Sequence, residues 1–202
     1  MEHETSCYNK QPCILLEHMQ ELKDNLDRSI YIVDNAFTRT QHERLYGAVK
    51  RAMYIIGFED TDAIERLSNK YLHSSWSPSD YKDTGLQDAI ESLDIYKEKL
   101  KDCRLDRVTI NLSTPSDTYF AHTHYNQYSL LYYMNLDWKP EWAGETMFYN
   151  DDLSEVIYTS VYKPNRLIVF DGAIPHSIKV QSNSAPHYRF TLAMFFSKGV
   201  SK

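Results

Sequence analysis

Arg166-Leu167-Ile168-Val169-Phe170-Asp171-Gly172-Ala173-Ile174-Pro175-His176 is the stretch on which the fold turns. Its apolar, β-branched and aromatic residues read as strand, and Asp171-Gly172 reads as a bend or tight turn within it. Working outward, His122-Thr123-His124 places two imidazoles two residues apart. Side chains alternate along an extended chain, so both rings point to one face if this segment is extended. A third run, Tyr188-Arg189-Phe190-Thr191-Leu192-Ala193-Met194-Phe195, sets Arg189, Thr191 and Ala193 on a common face. Three imidazoles converging inside a β-barrel, with an arginine behind them, would bind a divalent metal and an acidic ligand.

Around these runs strands dominate from Asp102 onward. They are expected at Arg107 to Ser113, Thr118 to His124, Gln127 to Asn135, Glu145 to Tyr149, Val156 to Tyr162, Arg166 to Phe170, Ile174 to Val180 and Tyr188 to Phe196. Turn signals separate them at Pro115-Ser116-Asp117, Asn150-Asp151-Asp152, Lys163-Pro164-Asn165 and Gln181 to Pro186. Short strands at this spacing imply a jelly roll or barrel. The preceding part reads as mainly helical, with a short strand at Ser29 to Val33. Leu15, Leu16, Met19, Leu22 and Leu26 recur at three- and four-residue intervals, which predicts a helix over Cys13 to Leu26. A second helix, capped by Thr38 or Thr40, is expected to run to about Ile55, with Leu45, Val49, Ala52 and Met53 inward. Further helices are expected over Ala63 to Leu72 and Leu86 to Leu100, with His73 to Asp80 as a loop. The expectation is one α+β domain, 1–202: helical support over 1–104 and a jelly-roll catalytic core over 105–202.

Composition narrows the function. The formal charge is −6, and no lysine- or arginine-rich run appears, which argues against a nucleic-acid surface. No apolar stretch approaches the roughly 18 residues of a membrane span. The start, Met1-Glu2-His3-Glu4, is acidic and polar, so no signal peptide is expected. Cys7, Cys13 and Cys103 have no metal-type spacing, and a reduced, cytoplasmic setting suits them.

Neutral imidazole suits iron, zinc, copper and nickel, so His-x-His with a distant third histidine is metal-site grammar of moderate specificity. Its surroundings carry a resemblance. The runs Pro115 to His122, Leu131-Tyr132-Tyr133-Met134-Asn135, Trp138, Trp142-Ala143-Gly144-Glu145-Thr146, Lys163 to Phe170, Ile174-Pro175-His176 and Arg189-Phe190-Thr191 occur in order over residues 107 to 196. As an ordered set they resemble the iron(II)- and 2-oxoglutarate-dependent dioxygenases, most closely the prolyl 4-hydroxylase-like branch.

The resemblance implies a double-stranded β-helix, or jelly-roll barrel, buttressed by the leading helices. It implies that His122 is the first iron ligand and His176 the last. Arg189 would pair with the distal carboxylate of 2-oxoglutarate, which a guanidinium fork can hold bidentately. Tyr133 and Thr191 would add hydrogen bonds to that carboxylate. The family pattern is His-x-Asp, and here the acidic position holds His124. Three readings are open: a three-histidine face, a carboxylate supplied by another group such as Glu145, or loss of iron. The implied activity is hydroxylation of an unactivated C–H bond of a small molecule or amino-acid derivative, with Fe(2+), 2-oxoglutarate and O2. Other readings are a three-histidine iron dioxygenase that does not use 2-oxoglutarate, and a non-catalytic jelly-roll binding module. Tyr125, Trp76 and Trp138 are the candidate substrate contacts, with His73 to Asp83 as a lid.

Overall fold

A computed structural model of the chain describes residues 19–56, 72–117 and 120–199. Eleven strands among them form two antiparallel sheets. In chain order the strands are β1 (Met19–Lys23), β2 (Ser29–Asp34), β3 (Ile55–Ile56), β4 (Leu72–Trp76), β5 (Arg104–Ser113), β6 (Gln127–Tyr133), β7 (Thr146–Tyr149), β8 (Val156–Ser160), β9 (Arg166–Asp171), β10 (His176–Ile178) and β11 (Arg189–Ser197). The helices are α1 (Arg39–Val49), α2 (Pro78–Asp83) and α3 (Leu86–Ser92), followed by a π-type turn at Tyr96–Leu100. The large sheet runs β1-β2-β9-β6-β11-β5-β4-β3, and the small one β10-β7-β8. The two sheets make the expected jelly roll, and their edges stay open rather than closing into a barrel.

Strict alternation explains why the large sheet has two different faces. On β11, Phe190, Leu192, Met194 and Phe196 enter one core with Val108, Ile110 and Leu112 of β5, Leu45 and Val49 of α1, and Leu86 and Ile90 of α3. The intervening Ala193 and Phe195 enter a second core with Ile168 and Phe170 of β9, Leu131 and Tyr133 of β6, and Phe148 of β7. Helices thus cover one face and the small sheet covers the other. The inner face is where the site lies.

Several expectations about the first half change. Residues Cys13 to His18 of the first expected helix lie outside the described residues. The rest is not helical: Met19–Lys23 is an edge strand paired with β2, Leu22 opposite Ile30. Asp24 then closes a turn, its Oδ1 accepting from Leu26 N and Arg28 N at 2.9 Å each. Period-four spacing of apolar residues did not decide this segment, because pairing with β2 satisfies the backbone.

The second helix begins as expected. Thr38 caps it, its hydroxyl accepting from Gln41 N while Gln41 Oε1 accepts from Thr38 N. It stops at Val49 rather than near Ile55, and Met53 is 84% exposed, so it is not part of the buried stripe. Ala63 to Tyr71 lies outside the described residues, and Leu72 is strand.

His73 to Asp80 is not a loop. His73 to Trp76 belongs to β4, paired with β5, and Ser77 caps α2 with a reciprocal Ser77–Asp80 box. A strand within a sheet and a capped helix are not a lid, so the lid expectation is withdrawn. Helix 86–100 is interrupted after Ser92, where Leu93 is extended. Among the described residues before 105, strands stand beside the helices: β2 pairs with β9 and β4 with β5, so strands from both parts of the chain share one sheet. Thr118 to His124 is not a continuous strand over its described residues; only His122 bridges, to His176.

Candidate active site

His122 and His176 face each other across an antiparallel bridge, each backbone N–H donating to the other's carbonyl at 3.0 Å. β10 is held in turn by β7, with His176 opposite Phe148. His124 follows on the same segment, and its N–H donates to Gly172 O at 2.6 Å. The Asp171-Gly172 bend therefore docks one histidine-bearing segment against the other. A Cβ on Gly172 would lie 2.3 Å from His124 O, so only glycine permits this approach.

The three rings converge, with centroids 4.5 Å apart for His122–His176, 5.0 Å for His122–His124 and 5.3 Å for His124–His176. One potential ligand atom from each lies within 4.8 Å of the others. Nδ1 of His122 donates to Phe120 O at 3.1 Å, and Nδ1 of His176 donates to Ile174 O at 2.9 Å. A carbonyl only accepts, so these contacts put the proton on Nδ1 and leave each Nε2 lone pair for a metal. Burial pushes the His176 imidazole well below its usual pKa, and the neighbouring His122 and His124 push the same way. It is neutral at pH 7, the state that ligates. Aromatic rings back the cluster: Phe170 lies 4.7 Å from His176 and Phe195 lies 4.6 Å from His124. Among the described residues no carboxylate joins this group, so Glu145 is not its ligand.

Arg189 lies on β11, between β6 and β5 in the sheet interior, and is fully buried. Its Nε donates to Gly144 O at 2.8 Å, and its backbone N–H donates to Gln181 Oε1 at 2.8 Å. The guanidinium carbon sits 4.9 Å from the Tyr162 ring centre and 5.6 Å from that of Tyr133. Gly144 has φ 89, and a Cβ there would meet Arg189 Cδ at 3.0 Å. Both terminal nitrogens, Nη1 and Nη2, are buried with no hydrogen-bond partner in the protein, as is the hydroxyl of Thr191 on the same face. Burying a cation's donors unmatched costs several kcal/mol. An anion would satisfy these donors, and a carboxylate has the two oxygens to meet a guanidinium edge.

The remaining candidates divide. Tyr133 reaches this end of the face, but its hydroxyl donates to Thr146 Oγ1 at 2.9 Å, with Ser160 O a longer acceptor at 3.3 Å. Trp138 is buried near Arg189, its Nε1 donating to Ala143 O at 2.8 Å. Tyr125 is exposed in the turn just after His124. Trp76 sits opposite Val108 and packs into the helix-side core, the face of the sheet away from the histidines. The expected mouth of Trp76, Tyr125 and Trp138 does not assemble. Tyr162, Gly144 and Gln181, which hold Arg189, were not assigned roles from sequence. The signal for Gly144 lay in Trp142-Ala143-Gly144, but nothing local tied Tyr162 or Gln181 to an arginine.

No family model matches the chain, and no curated protein matches it in sequence. Solved structures do match in fold. A Pseudomonas putida prolyl-4-hydroxylase aligns at TM-score 0.61 with 15% identity, over 85% of this chain and 93% of that one. HygX from Streptomyces hygroscopicus, with nickel and 2-oxoglutarate bound, aligns at 0.61 with 9% identity, over 84% and 82%. The viral collagen prolyl hydroxylase of Paramecium Bursaria Chlorella virus-1, in its 2-oxoglutarate complex, aligns at 0.56 with 14% identity, over 84% and 96%. The fold is thus the one that 2-oxoglutarate- and iron-dependent oxygenases, prolyl hydroxylases among them, are built on.

Proposed function

We propose that this chain is a non-haem iron(II) oxygenase that uses 2-oxoglutarate and hydroxylates a small molecule or amino-acid derivative. The observation that carries the reading is the buried Arg189 guanidinium, both of whose terminal nitrogens lack a partner in the protein. It stands on the same sheet face as the histidine cluster, and no described carboxylate pairs with it. A two-carboxylate acid spanning from the histidines to Arg189 would satisfy both ends.

His122, His124 and His176 would hold the iron, and Arg189 with Thr191 would hold the distal carboxylate. Tyr162 and Tyr133 fix the guanidinium by their ring faces, and Gly144 O fixes its Nε. Burial keeps the Tyr162 phenol protonated, so the cation faces no phenolate. Phe148, Phe170 and Phe195 exclude water behind the histidines. When bound, iron and 2-oxoglutarate supply an oxidation in which O2 gives one oxygen to the substrate C–H bond and one to succinate, with loss of CO2. A neutral His124 in place of a carboxylate leaves the metal more positive by about one charge, which favours an anionic co-substrate.

The test is calorimetric titration of 2-oxoglutarate into wild type and Arg189→Gln. Truncating one partner of a dry charge-assisted pair costs about 2–5 kcal/mol, so the variant should lose most of its affinity. Equal affinity in the two proteins would remove the assignment. A second reading rests on the absence of a carboxylate among the clustered ligands: a three-histidine iron dioxygenase that does not use 2-oxoglutarate. That reading has no use for the unmatched Arg189, and it gains support only if 2-oxoglutarate fails to bind. Residues 1–202 are read as one domain, since strands from both halves share one sheet. No described helix is long and apolar enough to cross a membrane. The cytoplasmic assignment rests on the cysteine pattern alone.

A further inference from the structure

The last histidine reaches the site at the end of a loop, Asp171 to His176, whose backbone is held by side chains from distant elements. Within the loop, Ala173 N donates to Asp171 Oδ1 at 3.0 Å and Ile174 N donates to Asp171 O at 3.0 Å. Ile174 O in turn takes the His176 Nδ1 proton at 2.9 Å. Lys198, just past β11, donates from Nζ to Asp171 Oδ2 at 2.6 Å. Its backbone N–H donates to Asn126 O at 2.9 Å, two residues beyond His124. Arg28, just before β2, donates from Nη1 to Ala173 O at 2.9 Å.

All three nitrogens of the Arg28 guanidinium are committed, each to a different segment. Nη1 holds the histidine loop. Nε donates to Asp24 Oδ2 at 2.6 Å, and Nη2 donates to Asp151 Oδ1 at 2.5 Å. Asp24 closes the β1–β2 turn, and its side chain is fully buried, so its charge depends on this partner. Asp151 lies in the turn between β7 and β8. β7 carries β10, with Phe148 opposite His176, and Tyr149 N donates to Pro175 O at 2.8 Å. One guanidinium thus joins the β1–β2 turn, the β7–β8 turn and the loop between β9 and β10. A planar fork fixes direction as well as distance, which the point charge of a lysine does not.

We propose that Arg28 is a positioning residue of the metal centre. It holds Ala173 O, and through the adjoining Ile174 carbonyl it keeps the His176 ring turned with Nε2 toward His122 and His124. This rests on the three-histidine metal reading above. Nothing local to Arg28 gives it this role, since the loop it holds lies far along the chain.

The test is anaerobic cobalt(II) titration, followed by its visible bands, of wild type, Arg28→Met, Arg28→Lys and Asp34→Asn. It is run at a temperature where each protein is fully folded, so that a loss of global stability by itself leaves the affinity unchanged. Asp34→Asn is the control: it weakens the ion pair of Asp34 with Arg166, which joins β2 to β9 at the end remote from Arg28. Arg28→Met should bind cobalt about tenfold or more weakly, with altered bands, as loss of groups that support ligands does. Arg28→Lys should recover part of the affinity, and Asp34→Asn should keep the wild-type value. Wild-type affinity in Arg28→Met overturns the proposal, as does an equal loss in Asp34→Asn. Should Arg28→Met fail to fold, Arg28→Lys, which keeps a cation beside Asp24, decides in its place, and wild-type affinity there overturns the proposal. If wild type itself binds no cobalt, the metal reading fails by itself. Nitrogen NMR of the imidazole rings then judges Arg28 without any metal: the His176 resonances should move in the Arg28 variant and stay in Asp34→Asn, and unmoved resonances overturn the proposal.

Discussion

Gly172→Ala is expected to damage the metal centre from outside it. The added Cβ would stand 2.3 Å from His124 O, 2.9 Å from Gln127 O and 3.0 Å from His124 Cβ. Ordinary contacts between such atoms need about 3.5 Å, so the His124 segment must move by about 1 Å. It cannot retreat freely, because His124 N donates to Gly172 O at 2.6 Å and Gly172 N donates to Gln127 O at 2.9 Å. Overpacking costs typically about 1–3 kcal/mol, and one weakened backbone hydrogen bond about 1 more. For a chain of this size each kcal/mol lowers Tm by roughly 2–4 °C, so a fall of about 4–16 °C is expected. The displacement falls on His124, so the variant should also lose metal affinity tenfold or more, as shifts of ligand-supporting groups do. Thermal unfolding and anaerobic cobalt(II) titration followed by its visible bands measure the two effects. A variant with wild-type Tm and wild-type cobalt affinity would refute the argument that this backbone contact sets the position of His124.

Further outcomes concern three residues. Arg189→Met should leave the ligand-free protein as stable as wild type or more so, by up to about 1–4 kcal/mol, because it removes an unmatched buried cation. The same variant should gain nothing in Tm from added 2-oxoglutarate, and a ligand-dependent rise equal to wild type would count against the site. His124→Ala should lose iron by about tenfold or more in an anaerobic titration, whereas unchanged affinity would make His124 a bystander. His124→Asp tests the charge argument by asking whether 2-oxoglutarate turnover rises or falls. His42 donates from Nε2 to Met134 O at 2.9 Å, and burial lowers its pKa below the usual 6.5. The unfolded chain then binds this proton before the folded one does, so stability declines as pH falls below about 6.5. His42→Gln should flatten that decline in denaturant titrations at pH 5 and 7, and an unaltered slope would assign the acid sensitivity elsewhere.

What was legible in the chain by itself was the grammar of its second half. Alternation along Tyr188 to Phe196 put Arg189, Thr191 and Ala193 on one face, and β11 carries them there because a strand's period is set by the backbone. His122 and His124 share a face for the same reason, even though hydrogen bonding around them is a single bridge rather than a full strand. The Thr38 cap was equally local, a side chain meeting an amide three residues on. The first half misled where local pattern and long-range pairing competed. Met19, Leu22 and Leu26 have helical spacing, yet a partner strand at Ser29–Asp34 satisfies the backbone of Met19–Lys23, and that partner is not visible in the window that suggested a helix. His73 to Asp80 reads as loop because serines cluster there with Pro78 and Asp80, but β5 supplies a ladder for His73 to Trp76. Only tertiary structure could show that Gly172 is needed for the approach of His124 rather than for its own turn. The same holds for Tyr162, Gly144 and Gln181 gathering on Arg189, and for Arg28 reaching the loop that ends in His176. Each of these is a distance between residues far apart in the chain, set by how two sheets pack, and no periodicity encodes it.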